Sequence, residues 1–233
     1  MRIDHVTIIG AGGTGQLLIP PLVRLLTYHP NALEPFVEIY DGDSFEDHNA
    51  QRQIGSSGEK TTAIEQLLEQ QGLRANVINA YMTKARFQRV LNRTPDVRHL
   101  VIAAVDNDAT RKMCIDELEA FDGNFAFVTP GNSDVSDKEN DIKGNVLWFG
   151  RNDGQRFGVN PALVFPNIEH PQDAIPRNGG CAEQQASTPQ LITSNALAAA
   201  YTLAVVQNIL DDRMPDQASS CFFNGRSFSL SAN

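Results

Sequence analysis

Val6-Thr7-Ile8-Ile9-Gly10-Ala11-Gly12-Gly13-Thr14-Gly15 is a short apolar segment that runs directly into a glycine turn. Gly10, Gly12 and Gly15 satisfy the pattern G-x-G-x-x-G, and Gly13 adds a fourth glycine. Glycines allow positive φ values and let backbone N–H groups approach a phosphate, while the N-terminus of the following helix attracts the anion. Such a turn can also be purely structural. Because it lies between an apolar strand and a second apolar segment, we predict a nucleotide-binding turn.

The size and composition of the chain fit one large α/β domain with a substantial core. It has 233 residues, of which 41% are hydrophobic and 20% charged. The net charge of -9 argues against a general nucleic-acid binder. We find no membrane-span pattern and no signal-peptide core, so we expect a soluble cytoplasmic protein. Cys114, Cys181 and Cys221 form no C-x-x-C pair and fit reduced thiols.

Apolar runs and helical spacings alternate along the chain, which is typical of a doubly wound sheet. We predict strands at 4–9, 36–40, 75–78, 98–105, 125–129, 145–149 and 221–230, and helices at 16–28, 59–71, 84–92, 109–121 and 187–210. Pro20 and Pro21 predict a kink or break in the first helix. The strand at 145–149 follows an irregular connection, so we expect it to be antiparallel. The predicted fold class is therefore a Rossmann-like mixed sheet with a parallel N-terminal half, antiparallel C-terminal strands and helices on both faces.

The second half of the chain contains two segments that indicate contacts with partners. Residues 150–184 form a predicted loop that is too long for an idle connection, so we expect a lid or a partner-binding loop. The helix predicted at 187–210 is apolar around much of its circumference, which is typical of the core or of an oligomer interface. We therefore expect a homodimer.

The segment after the second strand, residues 41–53, is rich in side chains that bind ribose, metal or phosphate. An acid at the end of the second strand, here Asp41, can hold ribose hydroxyls. Asp43 is close enough in sequence to join a metal site, and Arg52 offers a planar fork for phosphate. The simpler interpretation of this segment is a solvated acidic loop.

The glycine turn is compatible with two kinds of ligand. One is a dinucleotide used by a dehydrogenase, with Asp41 on the adenosine ribose, and the other is ATP used for adenylation. Hydride transfer needs an acid or base beside the nicotinamide, and the sequence after residue 106 offers no clear candidate. Asp106 ends a predicted parallel strand, where ligands of open α/β sheets lie, and Arg52 and Lys60 would balance a triphosphate. The charge pattern thus favours phosphate chemistry.

Taken together, these motifs resemble the adenylation domain of the ThiF/MoeB/HesA and ubiquitin-activating enzyme superfamily. The motifs that carry the resemblance are Gly10-Ala11-Gly12-Gly13-Thr14-Gly15, Asp41-Gly42-Asp43, Asn49-Ala50-Gln51-Arg52-Gln53, Lys60 and Asp106-Asn107 with Arg111. It spans residues 3–130 well and continues more loosely through residues 180–183. The resemblance implies one adenylation domain over residues 1–233, with a nucleotide-binding half at 1–130 and a partner-binding and dimerisation half at 131–233.

The resemblance also implies roles for individual residues, with ATP and Mg²⁺ as cofactors. The nucleotide would be bound by Gly10, Gly12, Gly13 and Gly15, with Asp41 on its ribose and Asn107 completing the site. The triphosphate would be contacted by Asn49, Arg52 and Lys60. Gln53 would orient its neighbours, and Asp43 would set the loop or the metal shell. Asp106 would bind Mg²⁺ or position the α-phosphate. Arg52, Asp106 and Cys181 would be the catalytic residues.

The reaction implied by the resemblance joins AMP to the C-terminal carboxylate of a small ubiquitin-like or sulfur-carrier protein and releases pyrophosphate. Cys181 would then receive the acyl group, or it is an ordinary loop residue. The chain lacks the N-terminal arginine helix and the C-x-x-C pairs of many relatives, which is similar to the ThiF-like proteins of PRTRC systems. An NAD-dependent oxidoreductase and a noncatalytic ThiF-like scaffold remain as alternatives.

Overall fold

The structure is a computed structural model that describes residues 1–32, 34–46, 53, 57–132, 142–176, 191–213, 220–225 and 229–232. Strands and helices alternate through the first half. In chain order the elements are β1 (His5–Ile9), α1 (Gly13–Tyr28), β2 (Phe36–Asp41), α2 (Lys60–Gln70), β3 (Asn76–Asn79), α3 (Lys84–Arg93), β4 (His99–Ala103), α4 (Asp108–Ala120), β5 (Phe125–Asn132), β6 (Lys143–Asn152), β7 (Gln155–Gly158), α5 (Pro161–Val164), α6 (Pro166–Glu169), α7 (Ile192–Leu210), β8 (Ser220–Asn224) and β9 (Ser229–Ala232).

The strands of the described part of the chain form one mixed sheet. Its order is β3-β2-β1-β4-β5-β6-β8-β9, and β7 pairs with β6 beside this path. All pairs among β1 to β5 are parallel, whereas β6, β7, β8 and β9 pair antiparallel. The predicted fold class and the antiparallel direction of β6 are confirmed. The strand order reverses between β1 and β4, which is where open α/β sheets bind their ligands.

Apolar side chains on both faces of the central strands hold the helices in two layers. Every residue of β1 and β4 is buried, as a parallel strand covered on both faces requires. Val6 and Ile8 of β1 belong to a core that α1, α2 and α7 cover. Ile9 belongs to a second core that α3, α4, α5 and α6 cover. The sequence alternation within β1 thus separates the two cores.

The helix after the glycine turn is continuous through its two prolines. Of the predicted kink or break, the break is absent, because α1 runs from Gly13 to Tyr28 with Pro20 and Pro21 inside it. Neither proline has an N–H group to donate to the carbonyl four residues earlier. Burial of the apolar face of α1, which packs along α7, offsets that loss.

Two predictions for the second half of the chain were wrong in detail. The predicted loop at 150–184 contains the end of β6, then β7, α5 and α6 in its described part. The predicted strand at 221–230 is instead the antiparallel pair β8 and β9. These elements are too short to show a hydrophobic period.

None of the helices in the described ranges combines the length and apolar character needed to cross a bilayer.

Candidate functional site

The glycine turn, residues 10–15, is shaped by close backbone contacts at its two ends. Gly10 has a φ of +99°, and a Cβ atom there would overlap the carbonyl oxygen of Ala104. A Cβ atom at Gly15 would overlap the carbonyl oxygen of Gly10. In contrast, a Cβ atom at Gly12 would meet no atom closer than 4.0 Å. Gly10 and Gly15 are therefore required by the fold, whereas Gly12 leaves space beside the N-terminus of α1, where helical N–H groups can receive an anion.

Asp41 ties the glycine turn to the end of β2. Its Oδ2 accepts the N–H of Ala11 at 2.5 Å, and its Oδ1 accepts the N–H of Asp43 at 2.8 Å. The residue is 7% exposed, and burial raises the pKa of its carboxyl group, although Lys60 opposes this. Both carboxylate oxygens thus hold backbone N–H groups, and the ribose contact assigned to Asp41 stays a prediction.

Asp43 forms a second cluster with Lys60 and Tyr81. The ammonium group of Lys60 lies 2.9 Å from Oδ2 of Asp43, and the hydroxyl of Tyr81 donates to Oδ1. Lys60 is the first residue of α2 and only 8% exposed, which places its charge at the carboxyl edge of β2. The structure thus pairs Lys60 with Asp43, and the contact of Lys60 with a triphosphate stays a prediction. Tyr81 was missed, although its position just after β3 puts it at the same edge.

Asp106 lies in the loop between β4 and α4, directly beside the glycine turn. Its predecessor Val105 has its Cγ1 atom 3.2 Å from the position of a Cβ at Gly10. The carboxylate of Asp106 is exposed, and the next residue, Asn107, is the N-cap of α4. Oδ1 of Asn107 accepts the N–H of Thr110 at 2.7 Å, so this side chain serves the helix in the structure.

The side chains of Arg111 and Asp173 bond to the residues that flank Asp106 in sequence. Arg111 binds Asp108 at 2.6 Å and Oγ1 of Thr129 at 3.1 Å, and it also donates to the carbonyl oxygens of residues 105 and 130. In addition, Asp173 accepts the N–H groups of Asp108 at 2.8 Å and Ala109 at 2.7 Å. This loop is therefore held in place by charged hydrogen bonds on both flanks.

A cavity of about 620 Å³ is lined in part by Asp106. Its walls come from β5, β6, β8 and β9 and from the segment of α5 and α6. The lining mixes charged, polar and aromatic side chains, among them Asp106, Thr129, Asn145, Phe165, Phe222 and Ser231. Such a lining can hold an extended polar chain.

Three predicted site residues, Asn49, Arg52 and Cys181, lie outside the described residues. Their neighbour Gln53 is described, and its Nε2 atom is 4.0 Å from the position of a Cβ at Gly12. The amide of Gln53 therefore faces the glycine turn. Cys114 and Cys221 are buried in the core, and burial raises the pKa of both thiols.

The architecture matches solved structures over nearly the whole chain. E. coli MccB with ATP superposes with a TM-score of 0.60 over 99% of this chain and 63% of that chain, at 14% sequence identity. The chain therefore shares the fold of MccB. Selenomethionine PaaA gives a TM-score of 0.59 at 13% identity, also over 99% of this chain and 63% of PaaA. MccB with AMPCPP and MccA gives 0.60 at 16% identity, over 99% and 63%.

These matches concern three-dimensional structure alone. The chain spans 63% of the length of MccB and of PaaA. No protein-family model matches the sequence, and no curated protein sequence matches it. The similarity to MccB therefore lies in the order and packing of the elements, because only 14% of the residues are identical.

Proposed function

We propose that the chain is an ATP-dependent adenylyltransferase that activates the C-terminal carboxylate of a polypeptide. One observation carries the proposal: the glycine turn and the cavity meet at the loop of Asp106. Gly10 packs against Ala104, and Asp106, two residues further along the same loop, lines the cavity. A triphosphate at the turn and a carboxylate in the cavity would therefore meet beside Asp106. The same fold in MccB has been solved with ATP, and with AMPCPP and MccA.

The proposed reaction needs positioning and charge neutralisation more than covalent catalysis. A carboxylate oxygen attacks the α-phosphorus of ATP, the bond from that phosphorus to the α–β bridging oxygen breaks, and pyrophosphate leaves with the electron pair. Backbone N–H groups at Gly12 and Gly13 would hold phosphate oxygens, and Asp106 would orient the α-phosphate.

Mg²⁺, when bound, would neutralise charge on the phosphates. In the described residues, no group of three or more His, Cys, Asp or Glu side chains forms a metal cluster. Mg²⁺ is often held by one or two carboxylates together with substrate phosphates. The exposed carboxylate of Asp106 beside the glycine turn fits that kind of site.

The finer assignments extend the proposal. The substrate would be a small ubiquitin-like or sulfur-carrier protein, residues 1–130 would bind the nucleotide, and residues 131–233 would bind the partner and form a homodimer. Asn49 and Arg52 would contact the triphosphate, and Cys181 would receive the acyl group. A thiol-sensitive adduct that Cys181→Ser abolishes would support the last role. We also propose that the chain belongs to the ThiF-like proteins of PRTRC systems.

ATP–pyrophosphate exchange, measured with candidate polypeptides that end in a free carboxylate, tests the proposal. We expect exchange in the wild type and a loss of about 10²-fold in Asp106→Asn, the scale for removing one preorganised charged group. Asp122→Asn changes an exposed carboxylate outside the site and serves as the control.

Three results would contradict the proposal. Unchanged exchange in Asp106→Asn would remove the assigned role of that carboxylate. Binding of NAD in preference to ATP would favour the oxidoreductase. Binding of ATP with no exchange on any candidate polypeptide would favour the noncatalytic scaffold.

A further inference from the structure

Residues 72–95 carry a charge opposite to that of the chain as a whole. This segment spans β3 and α3, and it contains five of the 19 lysine and arginine residues but none of the 28 acidic residues. The nearest acidic residues along the chain, Glu69 and Asp96, lie just outside it. Because the net charge of the chain is -9, the positive charge is a local feature of this segment.

Three arginines of α3 lie on the side of the helix that faces away from α4. The side that faces α4 is identified by Lys84 and Gln88, whose side chains both bond Glu117 of α4 at 2.8 Å. Positions i, i+3 and i+7 of a helix follow one another along a single side. The arginines with this spacing are Arg86, Arg89 and Arg93.

Arg74 lies beside these arginines at the end of the sheet. β3 is the end strand in the described part of the chain, and its first residue, Asn76, pairs with Glu38 of β2. Arg74 and Phe36 each precede this pair by two residues, so they lie at the same edge. The guanidinium group of Arg93 lies 5.5 Å from the centre of the half-exposed Phe36 ring. The arginine row is defined as Arg74, Arg86, Arg89 and Arg93.

The four members of the arginine row differ in their contacts. Arg93 bonds a carboxylate of β2 at 2.9 Å, and Arg86 donates to a backbone carbonyl oxygen at 2.6 Å. Arg74 and Arg89 are exposed and make neither an ion pair nor a hydrogen bond within the described residues. The row therefore presents two uncompensated positive charges beside two guanidinium groups that are held in place.

The length and charge of the row indicate the kind of partner that fits it. The arginines of α3 span a helical rise of about 10 Å. An extended chain with carboxylates at alternate residues places them about 6.6 Å apart, so two or three carboxylates match the row. A nucleic acid would continue past the row onto a surface of the opposite sign, and a second copy joined through the same edge would bring like charges together.

We propose that the arginine row binds an acidic, extended segment of a polypeptide partner, with an apolar side chain of that segment against Phe36. The contacts are charge-assisted hydrogen bonds between guanidinium groups and carboxylates. No member of the row lines the cavity or belongs to the glycine turn. The surface thus goes beyond the site of the proposed function.

Fluorescence anisotropy with two labelled peptides tests the proposal. One peptide alternates three glutamates with valine and leucine, and the matched peptide has glutamine in place of each glutamate. We expect the glutamate peptide to bind at least about 10-fold more tightly at low salt, because several exposed ion pairs act together. This preference should shrink in about 1 M KCl, which screens exposed charges.

Variants of the two arginines that lack a bonded partner locate the binding surface. Arg74→Gln and Arg89→Gln should each weaken the glutamate peptide about two- to fivefold, the range for an exposed ion pair, and leave the glutamine peptide unchanged. Arg24→Gln removes an exposed arginine of α1 and should match the wild type. All three side chains are exposed, so the variants should fold, and circular dichroism checks this.

Four results would overturn the proposal. The first is equal binding of the two peptides, and the second is the same weakening in Arg24→Gln as in Arg89→Gln. The third is tighter binding of an oligothymidine that needs Arg74 and Arg89, which would make the row a nucleic-acid surface. The fourth is a dimer in sedimentation that Arg89→Gln dissociates, which would make a second copy the occupant. The peptide measurements use no nucleotide, so failure of ATP–pyrophosphate exchange would leave this proposal standing.

Discussion

Single backbone positions shape the glycine turn more strongly than any side chain does. Gly10 combines a φ of +99° with a collision that any Cβ would make against Ala104. Gly72, just after α2, has a φ of +67° but open space around its Cβ position. The two glycines therefore separate the cost of a left-handed backbone from the cost of a steric clash.

We expect Gly10→Ala to lower the free energy of unfolding by about 2–4 kcal/mol, because strain and overpacking add. Gly72→Ala should cost about 1 kcal/mol, because only the strain applies. Urea unfolding of both variants measures the difference. Equal losses would mean that the contact with Ala104 gives way easily.

Two histidines are buried side by side at the opposite end of the sheet. The rings of His5 and His99 have centroids 5.1 Å apart. His5 bonds Glu38 at 3.0 Å, whereas Nε2 of His99 lies 3.0 Å from the carbonyl oxygen of Thr94. Burial lowers the pKa of both rings, and that of His99 falls to about 4. Both histidines are therefore neutral in the folded protein at neutral pH.

The unfolded chain binds a proton on His99 more tightly than the folded chain does, so stability falls as the pH drops from 6.5 towards 4. We expect His99 alone to remove about 2 kcal/mol of the free energy of unfolding between pH 7.5 and pH 5. Urea unfolding at both pH values should show a correspondingly weaker pH dependence in His99→Gln. The exposed His170, changed to Gln, should keep the wild-type profile.

At the scale of elements, the start of α4 depends on a segment distant in the chain. Asn107 caps the helix locally, while Asp173 accepts the N–H groups of Asp108 and Ala109 from 65 and 64 residues away. A carboxylate at a helix N-terminus also interacts favourably with the helix dipole. The helix that follows Asp106 is thus stabilised by the segment after α6.

We expect Asp173→Ala to lower the free energy of unfolding by about 1–2 kcal/mol, the range for losing a charged helix cap. Hydrogen exchange should speed up at the amides of Asp108 and Ala109. Asp122→Ala removes an exposed carboxylate and should change neither quantity. Full protection of the two amides in Asp173→Ala would show that Asn107 suffices as the cap.

Local patterns predicted most elements but not every contact between them. The buried strands β1 and β4 are apolar runs, and the sequence gives their positions directly. Asp43, Lys60 and Asp106 lie at the same edge of the sheet because they follow strand ends or begin a helix. Tyr81 reaches Asp43 across 38 residues, and Asp173 reaches α4 across 65. A local hydrophobic pattern carries no information about a contact so far away along the chain, so the contacts of Tyr81 and Asp173 were not predicted.

At the scale of the whole molecule, one sheet separates two cores and places the glycine turn where its strand order reverses. The parallel N-terminal half of the sheet was predicted from alternating strands and helices, whereas the order of its strands was not predicted. The short elements after β6 were not predicted from the sequence, because strands and helices of four residues show too little hydrophobic pattern. Binding at the turn should stabilise the molecule as one unit.

We expect Mg²⁺-ATP at a hundred times its Kd to raise the free energy of unfolding by about 2.7 kcal/mol. Gly12→Val should fold, because the φ of -74° at this residue suits any side chain, and an added Cβ has space. The larger side chain should fill the space left for phosphate and remove the ATP increment. Urea unfolding with and without nucleotide measures both, and an undiminished increment in Gly12→Val would place the phosphates elsewhere.

The clamp that Arg111 and Asp173 form around the Asp106 loop has a kinetic consequence. A loop already bound on both flanks loses little conformational freedom when a nucleotide arrives, so this described loop requires no slow rearrangement before or after the encounter. Stopped-flow traces of ATP association should then contain one exponential phase, with an observed rate that rises in proportion to nucleotide concentration.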